Sequence, residues 1–357
     1  MKYKYKGKKE IELQVYHKSL VVKVNGNKYS AEYGFLTQMG MSLQSVPKAY
    51  YDLLMFILFY DLETIDIDSS FTDLSGCDQT IISYSGGVDS TALLSFGGIP
   101  VHITRVYQPM YEQKQIKAVE YIDAYQVHTN FEKIRELYIG KHGFNVGVGY
   151  AALYIPLLPL FKANRISLGV VFDDLAFNFG DPFSYNTDFT HTRLYKIREK
   201  LRTKEIDIVL PLAGYSEVLT TRITNSGPYK HFSSCHTPGD EQKCLQCIKC
   251  FRKEGAMGRK IPLNTATAKR KIMPFFKKYP LKMAAVTVYA IQKAGYKGKF
   301  WQRYQDIDVS FCERVNRTLT EQFYDGSKLP GFSWQTSEDA ERIKRFVDFI
   351  NDRRIYR

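Results

Sequence analysis

Ser85-Gly86-Gly87-Val88-Asp89-Ser90-Thr91 carries the residue types that phosphate chemistry needs. Two adjacent glycines let backbone N–H groups approach an anion closely. Ser85, Ser90 and Thr91 add hydroxyl donors, and Asp89 suits a divalent cation or a loop amide. The apolar run Ile81-Ile82 precedes the loop and Ala92-Leu93-Leu94 follows it. Strand, tight loop and helix start are therefore expected, with the helix dipole favouring negative charge at the loop. The spacing is neither GxxxxGK[ST] nor GxGxxG, which excludes those two phosphate motifs. An ordinary Gly-Gly turn is the plain alternative for the bare loop.

A second set of residues suits a metal. Cys235, Cys244, Cys247 and Cys250 follow the spacing C-x8-C-x2-C-x2-C. Four thiolates this close suit tetrahedral Zn2+ in a closed structural site, and they also suit an iron–sulfur cluster. A zinc ion here would pin the end of its domain, because binding free energy becomes folding free energy. His236 reads as a supporting or solvent-facing neighbour rather than a fifth ligand. Cys77 and Cys312 lie outside the cluster and read as buried thiols. His102 reads as a packed or solvent-facing strand residue. No Ser-His-Asp or Cys-His pairing demands covalent catalysis.

The elements that must hold these groups alternate in type. Strands are expected at Gln79 to Ser83, Pro100 to Tyr107, Arg165 to Phe172 (ending in Asp173-Asp174) and Asp207 to Pro211. Helices are expected at Tyr111 to Gln126, 131 to 139, Gly149 to Phe161 (broken by prolines) and Leu194 to Arg202. This alternation predicts an α/β fold, a parallel sheet with helices on both faces, with ligands at the carboxyl ends of the strands. The loop at 85–91 and Asp173-Asp174 both fall at such ends.

Residues 1–78 read as a separate β-hairpin and helix subdomain. Ile11, Leu13 and Val15 alternate with polar residues, Asn25-Gly26 signals a type I′ turn, and Ser45-Val46-Pro47 opens an apolar helix over Lys48 to Tyr60. Residues 79–258 form the α/β domain with the metal site. Residues 259–357 form a basic helical extension, with helices near 267–278, 280–294, 308–324 and 337–351. Its loop Gly295 to Trp301 mixes basic and aromatic residues, a mixture that suits a nucleic-acid backbone with stacking; a helical cap with a basic exterior is the plainer reading.

Composition sets outer bounds. At 357 residues, 44% apolar and 24% charged, the chain is an ordinary globular protein of one to three domains. No apolar run is long enough for a membrane span, and Met1-Lys-Tyr-Lys-Tyr-Lys lacks the apolar core of a secretory signal, so a cytoplasmic protein is expected. Most of the net charge of +13 lies after residue 258, which predicts an anionic partner or a lysine-rich solvated surface.

The Ser-Gly-Gly-Val-Asp-Ser loop resembles the SGGxDS signature of the PP-loop ATP pyrophosphatases (a HUP-like, adenine nucleotide alpha-hydrolase-like fold). Loop and cysteine spacing together, over about residues 79 to 253, resemble the 7-cyano-7-deazaguanine synthase (QueC) family. Ile166 to Asp174, Pro211-Leu212 with Ser216, and Ser234-Cys235 support the likeness. That family adenylates the carboxylate of 7-carboxy-7-deazaguanine with ATP and lets ammonia displace AMP. The resemblance implies that Ser83, Ser85, Gly86, Gly87, Val88, Asp89, Ser90 and Thr91 hold ATP and Mg2+. Ser85, Asp89 and Ser90 would serve the reaction itself. It implies that Asp173 and Asp174 accept N–H groups of a purine-like base, and that Cys235, Cys244, Cys247 and Cys250 bind Zn2+.

The sequence also departs from the family. Gly147-Val-Gly149-Tyr-Ala-Ala stands in place of Gly-Arg-Asn, and Ser216-Glu217 in place of Thr-Lys. Phe179-Gly-Asp-Pro-Phe183-Ser-Tyr185-Asn replaces a Cys-Arg substrate segment. About 78 residues are added before the matched region and about 100 after it. Longer proteins of this kind occur in anti-phage gene clusters, where a deazaguanine can be joined to another macromolecule. The expected function is an AMP-forming ligase that takes a deazaguanine-like acid and ammonia or an amine. The alternatives are conjugation to a protein partner, modification of a nucleic acid such as tRNA, or a non-catalytic ATP-binding subunit. A second copy of the chain is a further candidate partner.

Overall fold

The computed structural model describes residues 1–5, 9–59, 74, 76–105, 118–134, 148–228, 235, 244–326 and 328–356. Contacts divide the chain into two compact units. One comprises Met1–Ser85, Gly97–Leu168 and Thr190–Val209; the other comprises Gly86–Phe96, Gly169–Phe189 and Leu210–Arg357.

The first unit is built on a nine-stranded sheet. In chain order its strands are β1 (Lys2–Tyr5), β2 (Lys9–Val15), β3 (Ser19–Val24), β4 (Asn27–Glu32), β5 (Gln79–Tyr84), β6 (Ile99–Arg105), β7 (Tyr125–Thr129), β8 (Ala163–Ser167) and β11 (Asp207–Val209); β9 (Phe177–Asn178) and β10 (Ser184–Tyr185) belong to the second unit. The spatial order is β1-β2-β3-β4-β7-β6-β5-β8-β11. β1 to β4 form an antiparallel meander, and Leu20, Val22 and Val24 turn their apolar side chains inward on alternate residues. Asn25 and Gly26 both have positive φ, 49° and 79°, as a type I′ hairpin requires.

Five strands, β7-β6-β5-β8-β11, run parallel. Ile81 and Ile82 of β5 are both buried, the pattern of a parallel strand covered on both faces. Helices Lys48–Phe59, Val148–Tyr154 and Arg193–Arg202 flank the sheet. Pro156 and Pro159 break the apolar segment after Tyr154 into short turns, as their missing N–H groups dictate. Arg198 makes a two-pronged bond to Asp207 (2.6 and 2.9 Å), fastening Arg193–Arg202 to β11.

β4 pairs antiparallel with β7, so the strands of the first 32 residues continue the parallel sheet. The helix expected to reach Gln126 gives way to β7. Its alternating Val127 and Thr129 are buried beside β6 and β4, and this pairing overrides the helical reading. Residues 111–117 and 135–139 of the expected helices lie outside the described residues. β8 also ends earlier than expected, at Ser167, so Asp173 and Asp174 do not close a strand. They sit on a separate helical turn, Phe172–Leu175.

The second unit is mostly helical. It contains Val88–Leu93, Glu217–Ser226, Ile248–Ala256, Ala266–Ile272, Ala284–Lys293, Arg317–Phe323 and Ser337–Asn351, with the β9–β10 hairpin. One core gathers Phe172, Phe177, Phe183, Phe311 and Phe346. Another gathers Phe251, Phe276, Tyr296, Trp301 and Tyr304. Tyr296 and Trp301 are therefore buried, and half-buried Phe300 is the aromatic residue of the loop Gly295 to Trp301 left near the surface. Gly255 lets helix Ile248–Ala256 lie against Ala284–Lys293: a Cβ there would fall 2.5 Å from the Ala290 Cβ. No described helix is long and apolar enough to cross a membrane.

A charged cluster and a four-cysteine site

Strand order reverses between β5 and β8, which is where open α/β sheets place their binding loops. The chain leaves β5 at Tyr84 and enters the glycine loop. Gly86 has φ +70°, a conformation that a side chain would strain, and extended Gly87 caps helix Val88–Leu93. The Ser90 and Thr91 hydroxyls donate to the Gly87 carbonyl oxygen (3.1 and 2.7 Å), closing the first turn. Ser83 lies on β5 and accepts a bond from the Tyr154 hydroxyl at 2.9 Å, while Ser85 is exposed.

Asp89 is the loop residue with charged company. Its Oδ1 accepts from the Thr220 hydroxyl at 2.5 Å and from Lys253 Nζ at 3.0 Å. Helix Glu217–Ser226, which brings Thr220, is capped by Ser216, whose oxygen accepts the Leu219 N–H. The same helix holds the Val88 turn through the Thr224 hydroxyl, 2.9 Å from the Val88 carbonyl.

The acid pair splits into two environments. Asp173 is buried, and its Oδ2 accepts the Glu217 N–H at 2.7 Å at the start of that helix, where the macrodipole favours an acid. Its Oδ1 is buried with no hydrogen-bond partner among the described residues. Burial pushes the Asp173 carboxyl up to about 7, with Glu217 and Asp174 adding to the shift. Asp174 is exposed, yet desolvation by neighbouring atoms and the charges of Asp89 and Glu217 also raise it.

Glu217 is buried between two cations, Lys253 at 3.0 Å and Arg252 at 3.4 Å. Burial alone would raise its carboxyl, but the two cations outweigh burial and hold it low. Lys253 is kept charged in the same way: burial works against the ammonium, and Asp89 and Glu217 overcome it. Burial and the neighbouring Arg252 lower Lys249 to about 8. Lys249, Arg252 and Lys253 share one face of helix Ile248–Ala256, at spacings of three and four. None of these three, nor Glu217, was singled out from the sequence as a site residue. The one available signal was this basic helical face directly behind the last cysteines.

The four cysteine sulfurs lie within 4.8 Å of one another, and Cys244 Sγ and Cys250 Sγ are 3.8 Å apart. Zinc–sulfur bonds of about 2.3 Å in a tetrahedron give sulfur separations of roughly 3.8 Å, so the cluster fits Zn2+. Backbone N–H groups of Cys244, Gln246 and Cys250 point at Cys235, Cys244 and Cys247 sulfurs (3.3, 3.3 and 3.5 Å), the donors that a thiolate set needs. Cys247 is the N-cap of helix Ile248–Ala256, so the cluster fixes the start of the helix that carries Lys253. His236 lies outside the described residues.

A protein-family model described as a family of unknown function (DUF6395) matches residues 197–324. No curated protein matches the chain in sequence. Among solved structures, the chain is similar to the NH3-dependent NAD synthetase from Campylobacter jejuni subsp. jejuni NCTC 11168 in complex with the nitrate ion. The identity is 12%, the match covers 72% of this chain and 99% of that chain, and the TM-score is 0.29.

Proposed function

We propose that the protein is an ATP-using enzyme of the PP-loop kind. It cleaves ATP to AMP and pyrophosphate to activate a carboxylate, most closely that of a 7-carboxy-7-deazaguanine-type acid, for attack by ammonia or an amine. The observation that carries this reading is the convergence of the glycine loop, the acid pair and the cysteine-capped helix. The loop aspartate bonds to Lys253, Lys253 pairs with Glu217, Glu217 donates its N–H to Asp173, and Lys253 rides on the helix that Cys247 caps.

The residues support a division of labour. Asp89 is half-exposed beside a glycine loop and suits Mg2+, which would neutralise phosphate oxygens while pyrophosphate departs. Fixed cations near it suit the charge that develops on the leaving group. Asp173 combines one engaged oxygen with one buried oxygen that has no partner among the described residues, and a carboxyl near 7 can meet an N–H or a ring nitrogen. The cysteines would hold Zn2+ away from the reaction as a brace.

Incubation with ATP, Mg2+, 7-carboxy-7-deazaguanine and ammonia tests this directly. AMP and pyrophosphate in equal amounts, dependent on the acid, are expected. ATP left intact with every deazaguanine acid, or ADP as the product, contradicts it.

One observation favours a macromolecular amine as the acceptor. Residues 259–303 contain twelve Lys or Arg and no Asp or Glu, and ten of the twelve are exposed. A partner with an acidic surface or a phosphate backbone suits that stretch. Intact-mass analysis of the partner after reaction checks this, and an unchanged mass counts against it.

A further inference from the structure

Lys253 makes one more charge contact than Glu217 alone requires. Glu217 is buried and needs a counter-charge, since an unpaired buried carboxylate is costly. Arg252, 3.4 Å away, already supplies one. Lys253 adds a second at 3.0 Å and extends to Asp89, also at 3.0 Å. Its side chain is 9% exposed, against 30% for Asp89 and 3% for Glu217. The ammonium therefore bridges a sealed acid and a solvent-reaching one.

An ammonium has three donors, and two are taken by these acids. Its stem comes from a helix fixed at both ends. The cysteine cluster caps its start, and Gly255 seats its last turn against Ala290. A lysine normally loses much rotamer freedom when it binds an anion; here that freedom is already removed.

We infer that Lys253 is a nucleotide-binding residue whose ammonium meets the phosphates of Mg·ATP at the glycine loop. Glu217 and the cysteine-capped helix are its positioning elements. The inference rests on the reading of the loop as a nucleotide site and names a residue of that site. The competing role is purely structural: Lys253 as a counter-ion for Glu217.

Calorimetric titration of the full-length, metal-loaded protein with Mg·ATP and with Mg·pyrophosphate separates the two roles. Lys253→Met should weaken both ligands about tenfold or more, the loss of one charge-assisted contact. Lys253→Arg should retain most of the affinity. The double variant Glu217→Gln/Lys253→Met removes the buried acid together with its partner. It leaves buried Arg252 without its acid, so it should melt below the wild-type temperature, and it should still bind weakly. Recovery of wild-type affinity in the double variant overturns the inference and leaves Lys253 a counter-ion. Equal affinity of Lys253→Met and wild type overturns it also. Wild-type protein that binds no Mg·ATP overturns the nucleotide reading itself, and this inference with it.

Discussion

One short helix, Ile248–Ala256, serves two very different sites. Its N-terminal turn belongs to the cysteine cluster, whose donors all come from the sixteen residues between Cys235 and Cys250. Its next turn belongs to the charged cluster, where Asp89, Asp173, Glu217 and Lys253 come from four separate segments. The first site is local and built from one chemical type. The second is long-range and balances buried charge against buried charge. A local metal site declares itself by spacing, whereas a charge network depends on the packing that brings distant segments together.

The contrast can be broken at either site. Asp89→Ala removes the loop's only carboxylate and any divalent cation it holds. AMP release in a single turnover should fall by about 100-fold or more with the fold intact by circular dichroism. Normal turnover in this variant would disconnect the charged cluster from the chemistry.

Removing the metal attacks the other site. Stripping it with a chelator, or replacing Cys250 by Ser, should lower the melting temperature by about 10 °C or more, because a metal held by these four thiolates would be linked to folding. Affinity for Mg·ATP should fall with it, since the same helix carries Lys253. Loss of stability with unchanged nucleotide affinity would show the two sites to be independent.

Gly255→Leu tests the seating of the helix alone. A side chain there meets the Ala290 Cβ at 2.5 Å and the Ala290 carbonyl oxygen at 2.9 Å. Urea unfolding should report a loss of about 1–3 kcal/mol from overpacking.

The gentlest probe is the pH dependence of Asp173. Its folded value, about 7, is raised above the ordinary 3.8, so the folded state favours the protonated carboxyl. That contribution to stability is complete below 3.8 and is lost as pH rises through about 7. Asp173→Asn should therefore change stability little at pH 4 relative to wild type. At pH 8 it should gain about 1–3 kcal/mol over wild type. A pH-independent difference would place the cause elsewhere.

Much of this was readable in the residues. Alternation in Leu20 to Val24, the Asn25-Gly26 turn and the apolar run at Ile81-Ile82 each specify a strand or turn through local physics. The cysteine spacing specified its cluster for the same reason. β7 was hidden because Tyr125–Thr129 follows a helical pattern, and only pairing with β6 and β4 selects the strand. The Asp173 turn was hidden because Leu168 to Phe172 looks like more strand, although β8 stops at Ser167. Lys253 could not be chosen among 50 lysines and arginines without knowing that Asp89, 164 positions earlier, lies against it.

ATP–pyrophosphate exchange tests the central claim most directly, because reversible adenylation returns labelled pyrophosphate to ATP only when the acid is present. The account predicts label in ATP that depends on a deazaguanine-type acid and on Mg2+, and that disappears in Asp89→Ala. Acid-independent hydrolysis to ADP and phosphate, or no exchange with any such acid, would contradict it.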